Sequence, residues 1–237
     1  MAGRMMRYAA LAALLQPLAL IACDRAPPAP AATATTATPT TGAAQAPRPA
    51  GPERLVLAFG DSLYAGYGLD RGQSLPDAIQ ARLRAAGVNA TVVNAGVSGD
   101  TSAAGRQRLA FTLDNQARKP DLVLLGLGGN DVLRQISPAE TRANMTAMLD
   151  ELKRRDIPVM LTGMKAPPNL GADYVARFDS IWPDLARTYH GTLYPFILDG
   201  VIGDPALMQG DRVHPNAVGV AKIADRVAPL VKERLAD

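Results

Sequence analysis

Four short stretches of this chain break apolar or helical sequence with groups able to do chemistry: Gly60-Asp61-Ser62-Leu63, Gly99-Asp100, Gly128-Gly129-Asn130-Asp131 and Asp211-Arg212-Val213-His214. His214 is a candidate general base, because a neutral imidazole accepts a proton near neutral pH and returns it to a leaving group. Asp211 lies three residues earlier, and a turn of that spacing can bring its carboxylate to the far ring nitrogen, fixing the tautomer and stabilising the imidazolium. Ser62 sits where an apolar run gives way to a helix. A hydroxyl there can attack an acyl carbon, or it can cap the helix, as serines in turns commonly do. Gly99 leaves room for a substrate to approach the backbone or merely makes a turn. Asn130 can donate from an uncharged amide or bridge two loops. Asp61, Asp100 and Asp131 suit hydrogen bonds that fix their own loops, and His190, at the end of a helical pattern, suits a capping or surface role. Neither Gly66-Tyr67-Gly68 nor Gly126-Leu127-Gly128-Gly129 completes a dinucleotide or phosphate loop, and no Gly-x-Ser-x-Gly elbow is present.

The elements that must position these groups alternate between strand and helix. Leu55 to Phe59 is a continuous apolar run bounded by Pro52 and Gly60, as a strand buried on both faces requires. Leu75, Ile79, Leu83 and Ala86 recur at helical spacing before Gly87, and Thr91-Val92-Val93 reads as the second strand. A helix over about 102–117 leads to a third strand at Asp121 to Gly126. Ser137, Pro138 and Glu140 predict a capping box ahead of a helix whose Met145, Met148, Leu149 and Leu152 face the core. Ile157 to Thr162 gives a fourth strand, a helix over 173–189 follows, and Leu193 to Leu198 gives a fifth. The last helix starts near Asn216, presents Val220, Ile223, Val227, Val231 and Leu235, and carries Pro229. Repeated strand-helix units imply right-handed crossovers and a parallel sheet in a three-layer α/β/α domain. In such folds ligands sit beyond the carboxyl ends of the strands, where all four polar stretches fall.

Those four stretches, together with Asn94-Ala95-Gly96-Val97-Ser98-Gly99-Asp100-Thr101-Ser102, resemble the ordered blocks of the SGNH hydrolases, also called the GDSL lipase/esterase family, and within it the bacterial periplasmic thioesterase I, lysophospholipase and arylesterase group. The resemblance spans the whole folded body. It implies a flavodoxin-like fold with a five-stranded parallel sheet, a catalytic triad of Ser62, Asp211 and His214, and an oxyanion hole built from the Ser62 and Gly99 backbone amides and the Asn130 side chain. It also implies a serine esterase that passes through an acyl-enzyme, takes small-molecule acyl esters or thioesters, and needs no cofactor and no metal. Substrate choice falls to the loops 132–136 and 165–174, where Leu133, Ile136, Pro167, Pro168 and Leu170 are candidates to line an acyl groove. Two alternatives stay open: a carbohydrate O-acetylesterase of the same family, and a lipid-anchored binding protein that has lost hydrolysis.

Composition narrows the field. The 237 residues include 25 Lys and Arg against 22 Asp and Glu, and only 5% are aromatic, so neither a basic stripe nor a stacking surface for nucleic acid is available. One Cys and two His cannot assemble a disulfide framework or a four-ligand zinc site. Arg4 and Arg7 precede an apolar stretch from Tyr8 to Ala22, the pattern of a secretory leader. Leu20-Ile21-Ala22-Cys23 resembles the lipobox of bacterial lipoproteins, which implies acylation of Cys23, and Asp24 resembles the inner-membrane retention signal of enteric lipoproteins. The expected organisation is a leader at 1–22, a lipidated Cys23 with an Ala/Pro/Thr-rich linker to residue 53, and one hydrolase domain over 54–237. The protein is expected to be exported to the periplasmic side of a bacterial membrane and held there by its lipid alone.

Overall fold

Continuous apolar strands flanked by amphipathic helices leave one economical arrangement, a sheet covered on both faces. The computed structural model describes residues 48–236, and these belong to one compact unit, Ala46–Asp237. The expectations for the leader, for Cys23 and for the linker as far as residue 47 lie outside the described residues. Strands β1 (Arg54–Gly60), β2 (Ala90–Gly96), β3 (Leu122–Gly126), β4 (Val159–Thr162) and β5 (Thr192–Tyr194) form a parallel sheet in the order β2-β1-β3-β4-β5. Every residue of β3, and all of β1 after Arg54, is buried.

The helices are α1 (Ser62–Ala65), α2 (Leu75–Ala85), α3 (Ser102–Asp114), α4 (Gly129–Leu133), α5 (Pro138–Arg154), α6 (Ala172–Asp179), α7 (Ile181–Thr188) and α8 (Ala217–Ala236). Helix α2 packs with α8, and α5 packs with α3 and α7, so two groups of helices cover the sheet. Met145, Met148, Leu149 and Leu152 are core residues, as their spacing predicts.

Several boundaries differ from the sequence pattern for physical reasons. The fifth strand is only three residues long, because Pro195 cannot extend the ladder. The helix expected over 173–189 is two helices that meet at Ser180. At Ser137 only half of the capping box forms, with the hydroxyl accepting from the Glu140 N–H at 3.1 Å. The reciprocal box stands instead at Ser74 and Asp77, ahead of α2. Asn216 caps α8 by accepting from the Val218 and Gly219 amides, both at 3.0 Å.

One buried carboxylate ties the helices beside the sheet's carboxyl edge. Asp131, fully buried on α4, accepts from the Ser102 amide at 2.8 Å, the Ser102 hydroxyl at 2.5 Å and the Thr141 hydroxyl at 3.0 Å. It therefore joins the starts of α3 and α5 to the short helix α4, which also carries Asn130. Removing the acceptor strands these donors away from water, so Asp131→Ala should lower unfolding free energy by about 3 kcal/mol or more. Urea denaturation checks this, and a loss within experimental error of zero would deny the carboxylate its structural role.

Candidate active site

The strand order reverses between β1 and β3, and this is where a parallel sheet opens a crevice at its carboxyl edge. Ser62 follows β1, Gly99 follows β2 and Asn130 follows β3. His214 arrives from the far end of the sequence, on the turn ahead of α8. Ser62, Gly99, Asn130 and His214 all line one cavity of about 650 Å³.

The reactive groups are in contact. The His214 Nε2 lies 2.8 Å from the Ser62 Oγ, and its Nδ1 lies 2.7 Å from the Asp211 Oδ2. The second Asp211 oxygen accepts from the Val213 and His214 amides at 2.9 and 3.0 Å. These bonds hold the carboxylate against the ring in the orientation a tautomer-fixing partner needs. They also depress its pKa to about 2, the His214 amide contributing most. Such a chain can draw a proton from the serine hydroxyl as it attacks an electrophile.

The three candidate donors for an oxyanion belong to residues that line the same cavity. Neither the Ser62 nor the Gly99 amide donates to a protein acceptor among the described residues, so both are free for a ligand. Gly99 has φ +86, a conformation that favours glycine, and a Cβ there would meet nothing nearer than Arg134 at 3.8 Å. Its identity therefore reflects backbone shape more than crowding. The Asn130 side chain donates to the Asp100 carbonyl at 3.0 Å, which leaves its other N–H available.

Of the expected groove residues, Leu133, Pro167 and Pro168 line the cavity and Ile136 and Leu170 do not. Ile136 instead offers its carbonyl to the Tyr174 hydroxyl at 2.8 Å, and Leu170 packs against the core. Much of the apolar wall comes from Leu63, Val132, Met164, Phe196 and Leu198. Among the described residues no group of three or more His, Cys, Asp or Glu could hold a metal ion.

Three further residues escape sequence reasoning. Arg108 on α3 donates to the Gly60 and Ala95 carbonyls, each at 2.9 Å, and to Asp100 at 2.6 Å, while its guanidinium lies 3.9 Å from the Phe59 ring centre. One side chain thus fixes the ends of β1 and β2 and the residue whose carbonyl holds Asn130. Tyr67 packs its ring 4.6 Å from that of His214. Gln209 donates to the Tyr67 carbonyl at 2.7 Å and the Pro215 carbonyl at 3.0 Å, coupling the serine loop to the histidine turn. An Arg and a Gln within polar helix or loop sequence carry no local signal of such roles. His190 is exposed at the end of α7, away from the cavity lining, as its position in the sequence suggests.

Comparison with known proteins agrees with this geometry. Residues 58–222 match the GDSL-like Lipase/Acylhydrolase family. Esterase TesA of Pseudomonas aeruginosa is 38% identical over 180 residues, which is 76% of this chain and 89% of that protein. Thioesterase 1/protease 1/lysophospholipase L1 of Escherichia coli K12 is 35% identical over 173 residues, covering 73% of this chain and 81% of the relative. The crystal structure of AlinE4, described as an SGNH-hydrolase family esterase, is 53% identical and superposes with a TM-score of 0.67 over 78% of this chain and 97% of its own.

Beside the serine, Asp61 is 2% exposed and accepts from the Leu63 amide at 3.0 Å, capping α1. Burial disfavours its charged form and raises its pKa from 3.8 to about 6. Between those values the folded chain holds a proton that the unfolded chain releases, so this group makes stability fall as pH rises through the window. Asp211 has the opposite sign: its depressed pKa favours the fold above about pH 4, a contribution lost as pH falls towards 2. Asp61→Asn keeps an acceptor for Leu63 and removes the buried charge. It should stabilise the protein at pH 7.5 by up to about 3 kcal/mol, with little gain at pH 4.5. Denaturant titrations at the two pH values test this; equal gains at both would refute the linkage.

Proposed function

The chain belongs to the GDSL-like lipase/acylhydrolase family and is a serine hydrolase of carboxylic esters and thioesters, and on that premise we propose that Ser62 is its nucleophile, His214 its general base and acid, and Asp211 the partner that orients the imidazole. The observation that carries this reading is the unbroken hydrogen-bond chain from Asp211 through His214 to Ser62, at 2.7 and 2.8 Å. As the Ser62 oxygen bonds to the acyl carbon, His214 Nε2 takes its proton and the carbonyl electron pair moves onto oxygen. That oxyanion faces the Ser62 and Gly99 amides and the Asn130 side chain, donors fixed before the reaction begins. Collapse of the intermediate breaks the bond to the leaving oxygen or sulfur, which accepts the proton from His214. Water then repeats the sequence, releasing a carboxylic acid and restoring the serine.

The apolar walls favour acyl chains longer than acetyl, since each methylene taken from water contributes about 0.8 kcal/mol. An arylesterase, lysophospholipase or acyl-thioesterase range follows, in keeping with the names of the relatives and against sugar deacetylation. The leader pattern and the lipobox-like sequence at Cys23 support a site of action on the periplasmic side of a bacterial membrane, with a lipid on Cys23 as the anchor. The described residues contain no helix long and apolar enough to cross a bilayer.

A fluorophosphonate probe should label the native chain and leave Ser62→Ala unlabelled; equal labelling of both would reject Ser62 as nucleophile. Asn130→Ala should lower kcat by about 10²–10³-fold with KM little changed, and a change confined to KM would remove it from the oxyanion hole. Across aryl esters of increasing chain length, kcat/KM should rise beyond acetyl. A maximum at acetyl, with rapid deacetylation of sugars, would favour the carbohydrate esterase instead.

A further inference from the structure

An enzyme that draws its substrate from water has no use for apolar side chains displayed around the entrance of its cavity. Yet four of the seven large apolar side chains exposed among the described residues line this one cavity: Tyr67 at 53%, Leu133 at 62%, Ile202 at 51% and Val213 at 38% exposure. They come from the loop after α1, the end of α4 and two places in the long connection from β5 to α8, so no local sequence preference gathers them. A contiguous apolar collar of this kind on a folded domain marks an interaction surface.

The charges of the same rim identify the partner. Lys165 and Arg212 line the cavity, both exposed, and neither pairs with a carboxylate among the described residues. Lys165 lies only against the Phe196 ring, 5.7 Å from its centre. Arg134, next to Leu133, spends its guanidinium on the Gly99 carbonyl at 3.0 Å and likewise has no acidic partner. Of the described acidic residues, Asp61 alone lines the cavity, and it is buried; Asp211, nearby, is engaged by His214. Elsewhere on the described surface arginines are regularly paired, as Arg82 is with Asp225 and Arg142 with Asp184.

We propose that the mouth of the cavity docks on an anionic lipid bilayer, with Tyr67, Leu133, Ile202 and Val213 entering the headgroup boundary and Lys165, Arg212 and Arg134 facing its negative charge. An acyl chain then passes from the bilayer to the groove without crossing water. Juxtamembrane cations each strengthen such binding about fivefold at an anionic surface, and salt weakens it. Docking in this orientation presupposes the esterase reading of the cavity, because it gives the collar its purpose.

The test uses the chain from residue 23 onward, which retains the whole compact unit, with Cys23→Ser to remove the acylation site and Ser62→Ala to prevent turnover. Co-sedimentation with vesicles containing phosphatidylglycerol should exceed that with phosphatidylcholine alone at least fivefold, and should weaken in 0.5 M salt. Ile202→Asp and Lys165→Glu should each reduce binding to the anionic vesicles by about fivefold or more. Phe111→Asp, at an exposed apolar site outside the cavity, should not. Indifference to lipid charge, or equal losses from Ile202→Asp and Phe111→Asp, would overturn the docking surface. The far-UV circular dichroism of Ile202→Asp should match that of the parent chain, so that a loss of vesicle binding is read on a folded protein. Because vesicle binding is read on an inactive chain, failure of the esterase reading and failure of docking give separate signals.

Discussion

The hydrogen bond between His214 Nε2 and Ser62 Oγ joins groups 152 residues apart, and most of the architecture can be understood as what keeps that bond short. Neither partner sits on a long regular element. Ser62 opens a four-residue helix, and His214 occupies a turn whose ends are stitched together. Gln209 accepts nothing from the sheet but donates across to Tyr67, while its amide binds the His214 carbonyl at 2.8 Å and Asn216 binds back to Leu207 at 2.9 Å. The turn is thereby fixed internally and fixed to the serine loop, so the imidazole does not depend on distant packing for its position. Rigid placement of this kind lets the reactive groups be held in register before a substrate arrives.

The proposed oxyanion donors are held by a different means. They hang from three neighbouring strand ends, and two charged residues behind them do the fastening. Arg108 reaches over the ends of β1 and β2 to Asp100, whose carbonyl holds Asn130. Asp131, next to Asn130, is locked to α3 and α5. Both use charge-assisted hydrogen bonds, which are shorter and stronger than neutral ones, in a region of low water content. Asp61, by contrast, is buried against its preference, and burial raises its pKa next to the serine.

The sequence was legible where chemistry and periodicity are local. Apolar runs such as Leu122 to Gly126 identify central strands, and the three-residue interval from Asp211 to His214 survives folding as a direct contact. Legibility failed where long-range packing decides. The break at Ser180 is local by contrast, since Pro183 in the first turn of α7 lacks the N–H that a continuous helix would give to Asp179, but the fifth strand loses its second half to Pro195, whose effect depends on having a neighbour to pair with. Cavity walls were the hardest to read. Leu133 and Ile136 lie three residues apart beside the same short helix, yet only the first faces the cavity, because Gln135 between them takes a positive φ and turns the chain away. Arg108 was invisible for the converse reason, that its three partners come from the ends of β1 and β2 and the loop after β2, brought together only by the sheet.

The reactive atoms and the walls that select among substrates therefore have different foundations. Serine, histidine and the proposed oxyanion donors are anchored to buried strand ends or cross-linked turns, whereas Leu133, Pro167, Pro168 and Ile202 are exposed side chains outside the buried core. Diversification of those four positions can proceed at small thermodynamic risk. An evolving lineage, or a laboratory library confined to the same positions, is free to explore new acyl specificities while inheriting the bond-breaking apparatus unaltered.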